Sequence, residues 1–253
     1  MNMEIMDKFI SLEGKVAVIT GAGQGIGLAV ARLYVRYGAA VALVDISPKC
    51  LEEAEKINKE EGRARGYICD VTDEAAVKKT VASVLEDLGR VDIMVNNAGT
   101  IVRKSVLDTE VGEWDRCIDI GMKGTFLLSK HTVPIMIQNG GGVIINTASG
   151  AAIRAVYEEA PYCAVKGGVA ALTRAMALDF ARYNVRVNCV CPGDILTPML
   201  INEGIQLGKI TTGDPKTPEE QAAFDAFIES EASLRPLHRI ATPEQIAYTY
   251  LYL

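Results

Sequence analysis

A glycine-rich loop that directly follows a short apolar run is the feature that most restricts the fold of this chain. Residues 15–20 are mostly apolar, residues 21–27 read Gly-Ala-Gly-Gln-Gly-Ile-Gly, and residues 28–37 have the period of an amphipathic helix. A strand, a glycine loop and a helix in this order predict a site where loop amides and the helix N-terminus bind a phosphate. A tight turn without a ligand is the alternative interpretation.

The loop spacing and the next strand indicate which phosphate compound would bind. Ile26 occupies the third glycine position of GxGxxG, so the loop has the spacing TGxxxGxG instead. Residues 39–45 are a continuous apolar run, typical of a strand in a parallel sheet, and end in Asp45. A carboxylate there accepts hydrogen bonds from ribose hydroxyls and repels a 2′-phosphate, which predicts NAD rather than NADP. Ile46 and Ser47, which follow, supply no cation to offset this repulsion.

The alternation of strand and helix patterns continues along the chain. A helical pattern over 48–61 leads to a strand at 65–70, which ends in Asp70. A further helix leads to a strand at 90–96, followed by the small polar turn Asn96-Asn-Ala-Gly99, where the backbone can approach a ligand closely. Because ligands bind at the carboxyl ends of strands in such sheets, these polar residues are candidate contacts.

Three polar residues in the second half of the chain are candidates for catalysis. Tyr162 and Lys166 are four residues apart, so on a helix that begins near Pro161 they lie one turn apart on one face. An ammonium within about 4 to 6 Å favours the phenolate and lowers the pKa of a tyrosine from about 10. Ser149 follows another apolar strand, and its hydroxyl can donate to a carbonyl oxygen that becomes negative. Each residue alone also has a plain structural interpretation, as a helix pair or a cap.

The composition excludes several classes of function. The 253 residues carry a net charge of −6, which argues against a nucleic-acid or anionic-lipid partner. No stretch has the roughly 18 charge-free apolar residues of a membrane span, so we expect no membrane partner. Charged residues interrupt residues 1–15, so we expect no signal peptide and a cytoplasmic protein. Six scattered cysteines predict free thiols, and with two histidines we expect no metal site. No composition break marks a linker, so we expect one domain over 1–253.

Taken in chain order, these motifs resemble those of the classical short-chain dehydrogenases/reductases. The matching segments are Thr20–Gly27, Asp45, Asp70, Asn96–Gly99, Ser149, Tyr162–Lys166 and Pro192–Thr197. They span most of the chain in the family's order. The resemblance implies an α/β, single-domain Rossmann fold, a doubly wound parallel sheet with helices on both faces. It also implies an NAD-dependent enzyme that interconverts a secondary alcohol and a ketone by hydride transfer.

The resemblance implies a role for each matching residue. Tyr162 would exchange the proton, Ser149 would hold the substrate oxygen, and Lys166 would lower the pKa of Tyr162 and bind the nicotinamide ribose. The implied cofactor contacts are Gly21, Gln24, Gly25, Ile26, Gly27, Asp45, Asp70, Val71, Asn97, Ala98, Gly99, Tyr162, Lys166, Pro192, Gly193, Ile195 and Thr197. The small-residue helix that begins near Tyr162 packs against its symmetry mate in this family, which implies a homo-oligomer, a dimer or a tetramer.

Several features depart from the family pattern. Gly121 stands where the family has an active-site Asn at a helix kink, whose carbonyl holds a water that connects the lysine to solvent. We expect the glycine to keep the kink and the substitution Gly121→Asn to be tolerated. His238 and Ala241 stand where glycines are usual. The sequence ends at Leu253, before the family's last strand, so we expect a sheet without its seventh strand and with an unpaired edge.

The substrate is only broadly indicated by the sequence. Residues 199–235 are interrupted by glycine and proline, and they predict a lid over the substrate. Polar and charged residues flank the site, namely Arg154, Tyr157, Glu158, Glu159 and Asp194. They favour a polyol, a sugar or a small polar hydroxy compound, unless they are simply solvated loop charges. A 3-oxoacyl reductase and a catalytically silent NAD-binding or scaffold protein are the alternative functions.

Overall fold

One parallel sheet forms the centre of the molecule. The computed structural model describes residues 10–60 and 62–253. The strands are β1 (Val16–Thr20), β2 (Ala40–Asp45), β3 (Ala64–Ile68), β4 (Ile93–Asn96), β5 (Gly142–Thr147) and β6 (Val185–Val190). Their order across the sheet is β3-β2-β1-β4-β5-β6, and all neighbouring pairs are parallel. This confirms the predicted α/β Rossmann fold. The signal-peptide prediction rests largely on residues 1–9, which lie outside the described residues.

Helices connect the strands and cover both faces of the sheet. The α-helices of the described ranges are α1 (Gly25–Arg36), α2 (Lys49–Glu60), α3 (Glu74–Leu88), α4 (Val111–Ile118), α5 (Gly124–Gln138), α6 (Ala160–Phe180), α7 (Pro198–Gln206), α8 (Pro218–Ser233) and α9 (Pro243–Tyr252). A π-helical turn, Asp119–Lys123, joins α4 to α5. The helix predicted over 48–61 is α2, and residue 61 lies outside the described residues. None of these helices is long and apolar enough to cross a membrane.

Alternate residues of the central strands face two hydrophobic cores, one on each side of the sheet. Ile19 and Leu43 belong to the core formed with α1, α2 and α9. Val18 and Val44 belong to the other core, formed with α3, α5 and α6. All four side chains are fully buried. Burial on both faces explains why β1 and β2 are continuous apolar runs rather than alternating sequences.

The order of the strands places the candidate site. The chain passes from β1 outward to β2 and β3, and then returns to β4 on the other side of β1. Connections therefore diverge between β1 and β4, which leaves a crevice outside the carboxyl ends of these strands, where open α/β sheets bind their ligands. The glycine loop follows β1, and the Asn-Asn-Ala-Gly turn begins at the end of β4.

The segment 199–235 contains two helices. They are α7 and α8, each of which begins at a proline, Pro198 and Pro218. Leu200, Ile210 and Phe227 form a small apolar cluster of their own, separate from the two main cores. The segment therefore has its own packing above the sheet. Its role as a lid stays a prediction.

Candidate active site

A single cleft of about 880 Å³ crosses the carboxyl ends of the strands. Every predicted site residue except Gly27 lines it, namely Gly21, Gln24, Gly25, Ile26, Asp45, Asp70, Val71, Asn97, Ala98, Gly99, Ser149, Tyr162, Lys166, Pro192, Gly193, Ile195 and Thr197. The fold thus brings the predicted cofactor contacts and the predicted catalytic residues to one continuous surface. The number of residues between these positions in the sequence does not indicate how close they lie in the fold.

Gly27 does not line the cleft, and close packing behind the glycine loop explains why this position is a glycine. A Cβ atom at this position would lie 2.4 Å from the carbonyl oxygen of Gly21 and 2.8 Å from Nδ2 of Asn97. Gly21 itself has a φ angle of +63°, a conformation that glycine adopts without strain. The two glycines let the start of α1, with its unpaired amides, lie directly against the loop and beside the cleft.

Thr20 and Asn97 fasten the turn after β4 to the glycine loop. The Thr20 hydroxyl accepts hydrogen bonds from the backbone amides of Asn97, at 2.9 Å, and of Ala98, at 3.0 Å. The Asn97 side-chain amide donates to the Thr20 carbonyl at 3.1 Å. The two loops that flank β1 and β4 therefore form one braced unit. The sequence included Thr20 only as part of a motif, and its bracing role was missed.

The carboxylates of Asp45 and Asp70 shape the outer part of the same wall. Asp45 accepts hydrogen bonds from the backbone amides of Gly23 and Ser47, both at 2.9 Å. No lysine or arginine of the described residues forms an ion pair with Asp45. Asp70 accepts from the amide and the hydroxyl of Thr72, at 2.9 and 2.8 Å. Both carboxylates are thereby held in place at strand ends.

These features fit an adenine dinucleotide. Close packing at Gly27 keeps the start of α1 against the glycine loop, where its amides can bind a diphosphate. Asp45 is fixed where ribose hydroxyls can donate to it. The cleft continues from there to Tyr162, which is the geometry that a long, two-part cofactor needs.

Lys166 is buried beside Tyr162. Its ammonium donates to the carbonyl oxygen of Thr147 at 2.7 Å and lies 5.5 Å from the centre of the Tyr162 ring. Lys166 is only 4% exposed. Burial disfavours the charged form and lowers its pKa to about 8. The side chain can therefore change its charge close to neutral pH.

Tyr162 departs from the sequence expectation. Burial raises its pKa to about 12, and the hydrogen bond with Ser149 only partly opposes that rise. The nearby carboxylates of Glu159 and Glu203 raise it further. The pKa of Tyr162 is therefore raised in this structure rather than lowered as expected, because desolvation is the largest effect and the Lys166 ammonium donates to Thr147. The Tyr162 hydroxyl is protonated at neutral pH.

Thr147 connects Lys166 to two other parts of the fold. Its carbonyl accepts from Lys166, and its hydroxyl shares a 2.7 Å hydrogen bond with the hydroxyl of the buried Tyr250 in α9. The same hydroxyl donates to Oδ1 of Asn97 at 3.4 Å. The sequence analysis missed Thr147 and Tyr250. The position of Thr147 two residues before Ser149 was the one available signal, and Tyr250 had none.

Gly121 lies in the π-helical turn, so the expected irregularity of the helix is present. Its carbonyl accepts a hydrogen bond from the hydroxyl of Thr125 at 2.7 Å. A Cβ atom at Gly121 would lie 2.4 Å from Cγ1 of Val165, which is buried and β-branched and so cannot rotate away easily. The expectation that Gly121→Asn is tolerated is therefore wrong. Close packing of α6 against this turn requires the glycine.

The segment after β6 closes the cleft from the other side. The amide of Gly150 donates to the carbonyl of Pro192 at 2.8 Å, and Ile195 forms a parallel bridge with Ala241. The chain therefore returns to the core near Ala241, as the resemblance implied. His238 has a φ angle of +48°, which explains why the family favours glycine at that position.

Charged side chains from three segments line the far end of the cleft. Nη2 of Arg103 lies 2.9 Å from Oε1 of Glu159, and Nε of Arg103 lies 2.8 Å from Oε1 of Glu203 in α7. Arg235, which follows α8, forms an ion pair with Asp194. The sequence analysis missed the two arginines and Glu203, because they lie outside every motif and meet their partners only in the fold.

The five flanking residues that were predicted to form a polar pocket fall into two groups. Glu159 and Asp194 line the cleft in ion pairs, and Arg154 lines it with an exposed side chain. Tyr157 and Glu158 do not line the cleft and are exposed. The cleft is therefore polar at the end that lies beyond Tyr162.

Comparisons with known proteins agree with this geometry. Residues 15–207 match the family model for short chain dehydrogenases. The meso-2,3-butanediol dehydrogenase of Serratia marcescens is 40% identical over 230 residues, 87% of this chain and 88% of that protein. The D-threitol dehydrogenase of Mycolicibacterium smegmatis is 37% identical over 229 residues, 88% of each protein. The L-sorbose reductase from Gluconobacter frateurii, solved with NADPH and L-sorbose, has a TM-score of 0.87 and 32% identity, and the match covers 96% of this chain and 90% of that one. The chain belongs to the short-chain dehydrogenase/reductase family.

Proposed function

We propose that this member of the family is an NAD-dependent enzyme that interconverts a secondary alcohol and a ketone in a small polyol, a sugar or another small polar hydroxy compound. The observation that carries the proposal is the meeting of Ser149, Tyr162 and Lys166 in the same cleft as the glycine loop. The complete trio also argues against a catalytically silent scaffold.

The chain's own residues supply the proton chemistry. A bound nicotinamide dinucleotide accepts or gives the hydride. During reduction the neutral phenol of Tyr162 gives its proton to the ketone oxygen and becomes a phenolate, and during oxidation the phenolate form takes the proton from the alcohol. Ser149 donates a hydrogen bond to the same oxygen and stabilises its negative charge. Lys166, when charged, favours the phenolate of Tyr162.

Asp45 supports NAD as the cofactor. Its carboxylate lines the cleft, and no cation of the described residues neutralises it, so a 2′-phosphate at this position would meet uncompensated negative charge. The L-sorbose reductase with the same fold was solved with NADPH. The fold therefore does not by itself select NAD, and the proposal of NAD rests on the charge of Asp45.

The polar end of the cleft supports a small polar substrate. A long acyl chain would place methylene groups against the ion pairs of Arg103, which would then lose water without gaining a partner. A compound with several hydroxyl groups can replace that water. Three of the similar proteins, the butanediol, threitol and sorbose enzymes, have names that agree with such a substrate.

A homo-oligomer in a reducing compartment completes the proposal. Phe126 in α5 and Leu178 in α6 are large apolar side chains that are 48% and 82% exposed, which supports contact with a second copy. All six cysteines are free thiols, which supports a reducing environment such as the cytoplasm.

A panel of alcohols tests the proposed function. We expect the protein to reduce NAD in the presence of 2,3-butanediol or threitol, with a kcat/KM for NAD at least about tenfold above that for NADP, because one repulsive charge contact is worth roughly 1.4 kcal/mol or more. The measurement is NADH absorbance with each cofactor. A preference for NADP would contradict the role of Asp45, and inactivity on every secondary alcohol would contradict the proposed reaction.

A further inference from the structure

Arg103 joins two glutamates at the polar end of the cleft. It comes from the loop between β4 and α4, Glu159 directly precedes α6, and Glu203 lies in α7. Arg103 donates to Oε1 of Glu159 through Nε, at 3.1 Å, and Nη2, at 2.9 Å. Its Nε also lies 2.8 Å from Oε1 of Glu203. The side chains of Glu159 and Glu203 are only 7% and 14% exposed. The group is therefore largely removed from water.

The cluster lies close to the reacting groups. Glu159 comes three residues before Tyr162, and both glutamates are near enough to act on the charge of the Tyr162 hydroxyl. All three charged residues line the same cleft as Ser149 and Tyr162. A substrate whose reacting carbon lies at Tyr162 therefore shares the cleft with these carboxylates.

Arg103 holds the two glutamates through its Nε and Nη2 atoms. Among the described residues, Oε2 of Glu159 and Oε2 of Glu203 accept no hydrogen bond, so each can accept one from a ligand. Nε of Arg235, which lines the same cleft, is buried and has no partner in the described part of the chain. The cleft thus offers both acceptors and a donor. A hydroxyl group, which donates and accepts, is the group that satisfies both.

The local charge argues against an anionic substrate. Glu231 also lines the cleft and pairs with Lys209. Within this cluster three carboxylates therefore share the two cations Arg103 and Lys209, so the cluster itself has more negative than positive groups. Arg116 and Arg154 are the cleft-lining arginines of the described residues without an ion pair, and both side chains are exposed.

From this geometry we infer that Glu159 and Glu203, held in place by Arg103, determine specificity by binding a hydroxyl group next to the reacting carbon, and so select uncharged polyols over simple alcohols and anions. This inference rests on the proposed function and names the substrate class of the same site. Arg103 acts as an internal counter-ion that positions the two carboxylates.

The variant Glu203→Ala tests the inference with three probes, threitol, 2-butanol and 3-hydroxybutanoate. We expect its kcat/KM for threitol to fall about tenfold or more, since a hydrogen bond to a charged group is lost. The value for 2-butanol, which has no second hydroxyl group, should stay within about twofold. Glu203→Gln keeps an acceptor oxygen, so it should recover part of the activity on threitol and, by releasing Arg103, raise the activity on 3-hydroxybutanoate.

Controls separate this inference from the proposed function. Glu229→Gln changes an exposed glutamate of α8 outside the cleft and should leave all three values unchanged. Equal losses on threitol and 2-butanol, or a wild-type preference for 3-hydroxybutanoate, would overturn the inference while the reaction class stands. If the wild type oxidises no probe, the proposed function fails. In that case the equilibrium binding of threitol to the Tyr162→Phe protein decides the inference. The inference stands if adding Glu203→Ala to this protein weakens threitol binding tenfold, and it fails otherwise.

Discussion

The two ends of the cleft are built in different ways. The end around the glycine loop, which we call the cofactor end, depends on backbone groups. Thr20 and Asp45 each accept hydrogen bonds from two backbone amides, and Gly27 lies against the carbonyl of Gly21. The polar end beyond Tyr162, which we call the substrate end, depends on ion pairs between charged side chains of separate segments, such as Arg103 and Glu203. The first end tolerates little change of backbone shape, whereas the second can change its charges while the fold stays the same.

This difference explains how one fold serves several substrates. Hydrogen bonds to backbone amides and glycine contacts fix the position of a cofactor that the whole family shares. Ion pairs between side chains on the loops and on α7 can be replaced one residue at a time. Substitutions at the cofactor end should therefore affect every substrate equally, and those at the substrate end should affect substrates unequally.

The substitution Gly27→Ala should have the largest effect at the cofactor end. The added methyl group would lie 2.4 Å from the Gly21 carbonyl, so the loop must move away from α1. We expect the affinity for NAD to fall at least about a hundredfold, or roughly 2.7 kcal/mol, with equal losses of kcat/KM on all substrates. Isothermal calorimetry with NAD measures the affinity.

Gly167→Ala is the matched control for this prediction. A Cβ atom at Gly167, in α6, meets nothing within 4 Å, and alanine is the better helix former. The control should keep its affinity for NAD. If Gly27→Ala bound NAD as tightly as the control, close packing of the loop would not be what maintains the cofactor end.

Lys166 lies where the two ends of the cleft meet, and here we expect an effect on the free energy of unfolding that is smaller than the loss of binding energy at Gly27. The folded state holds this ammonium in an apolar setting with one hydrogen bond, to Thr147, and its pKa is lowered to about 8. Below pH 8 the folded state therefore bears the cost of a buried charge, and stability should rise with pH between about 8 and 10.5, where the unfolded chain binds more protons. We expect Lys166→Met to stabilise the protein by about 1 kcal/mol at pH 7 and to abolish turnover.

Chemical denaturation of the wild type and of Lys166→Met at pH 7 and pH 10 measures this stability difference. The advantage of the variant should shrink at the higher pH, because the wild-type lysine is then neutral. A Lys166→Met protein that is less stable than the wild type at both values would show that the ammonium stabilises the fold.

The strands and loops that form the cofactor end could be predicted from the sequence for a physical reason. Strand periodicity, the glycine loop and the acidic strand end at Asp45 are local features, and each depends on residues that are neighbours in the chain. The edge shared by parallel strands then brings Ser149 and Tyr162 to the same place, so the catalytic residues could be predicted from their order.

The substrate end could not be predicted in the same way. Arg103 meets Glu203 only because α7 packs above the sheet, and no spacing in the sequence encodes that contact. The pKa of Tyr162 was predicted in the wrong direction because the sequence shows a neighbouring lysine but not the burial that outweighs it. The tolerance of Gly121→Asn was wrong for the same kind of reason, since contact with Val165 is a property of packing.

The central claim is that the Tyr162 hydroxyl exchanges the proton during alcohol oxidation. The substitution Tyr162→Phe tests this claim most directly. It removes one oxygen atom and keeps the ring against Lys166. The measurement is NADH production from the best alcohol of the panel, together with the affinity for NAD. We predict that kcat/KM falls by about a hundredfold to ten-thousandfold while NAD binds within about twofold of its wild-type affinity. Turnover within tenfold of the wild type, with NAD still bound, would contradict the assignment of Tyr162 as the acid and base.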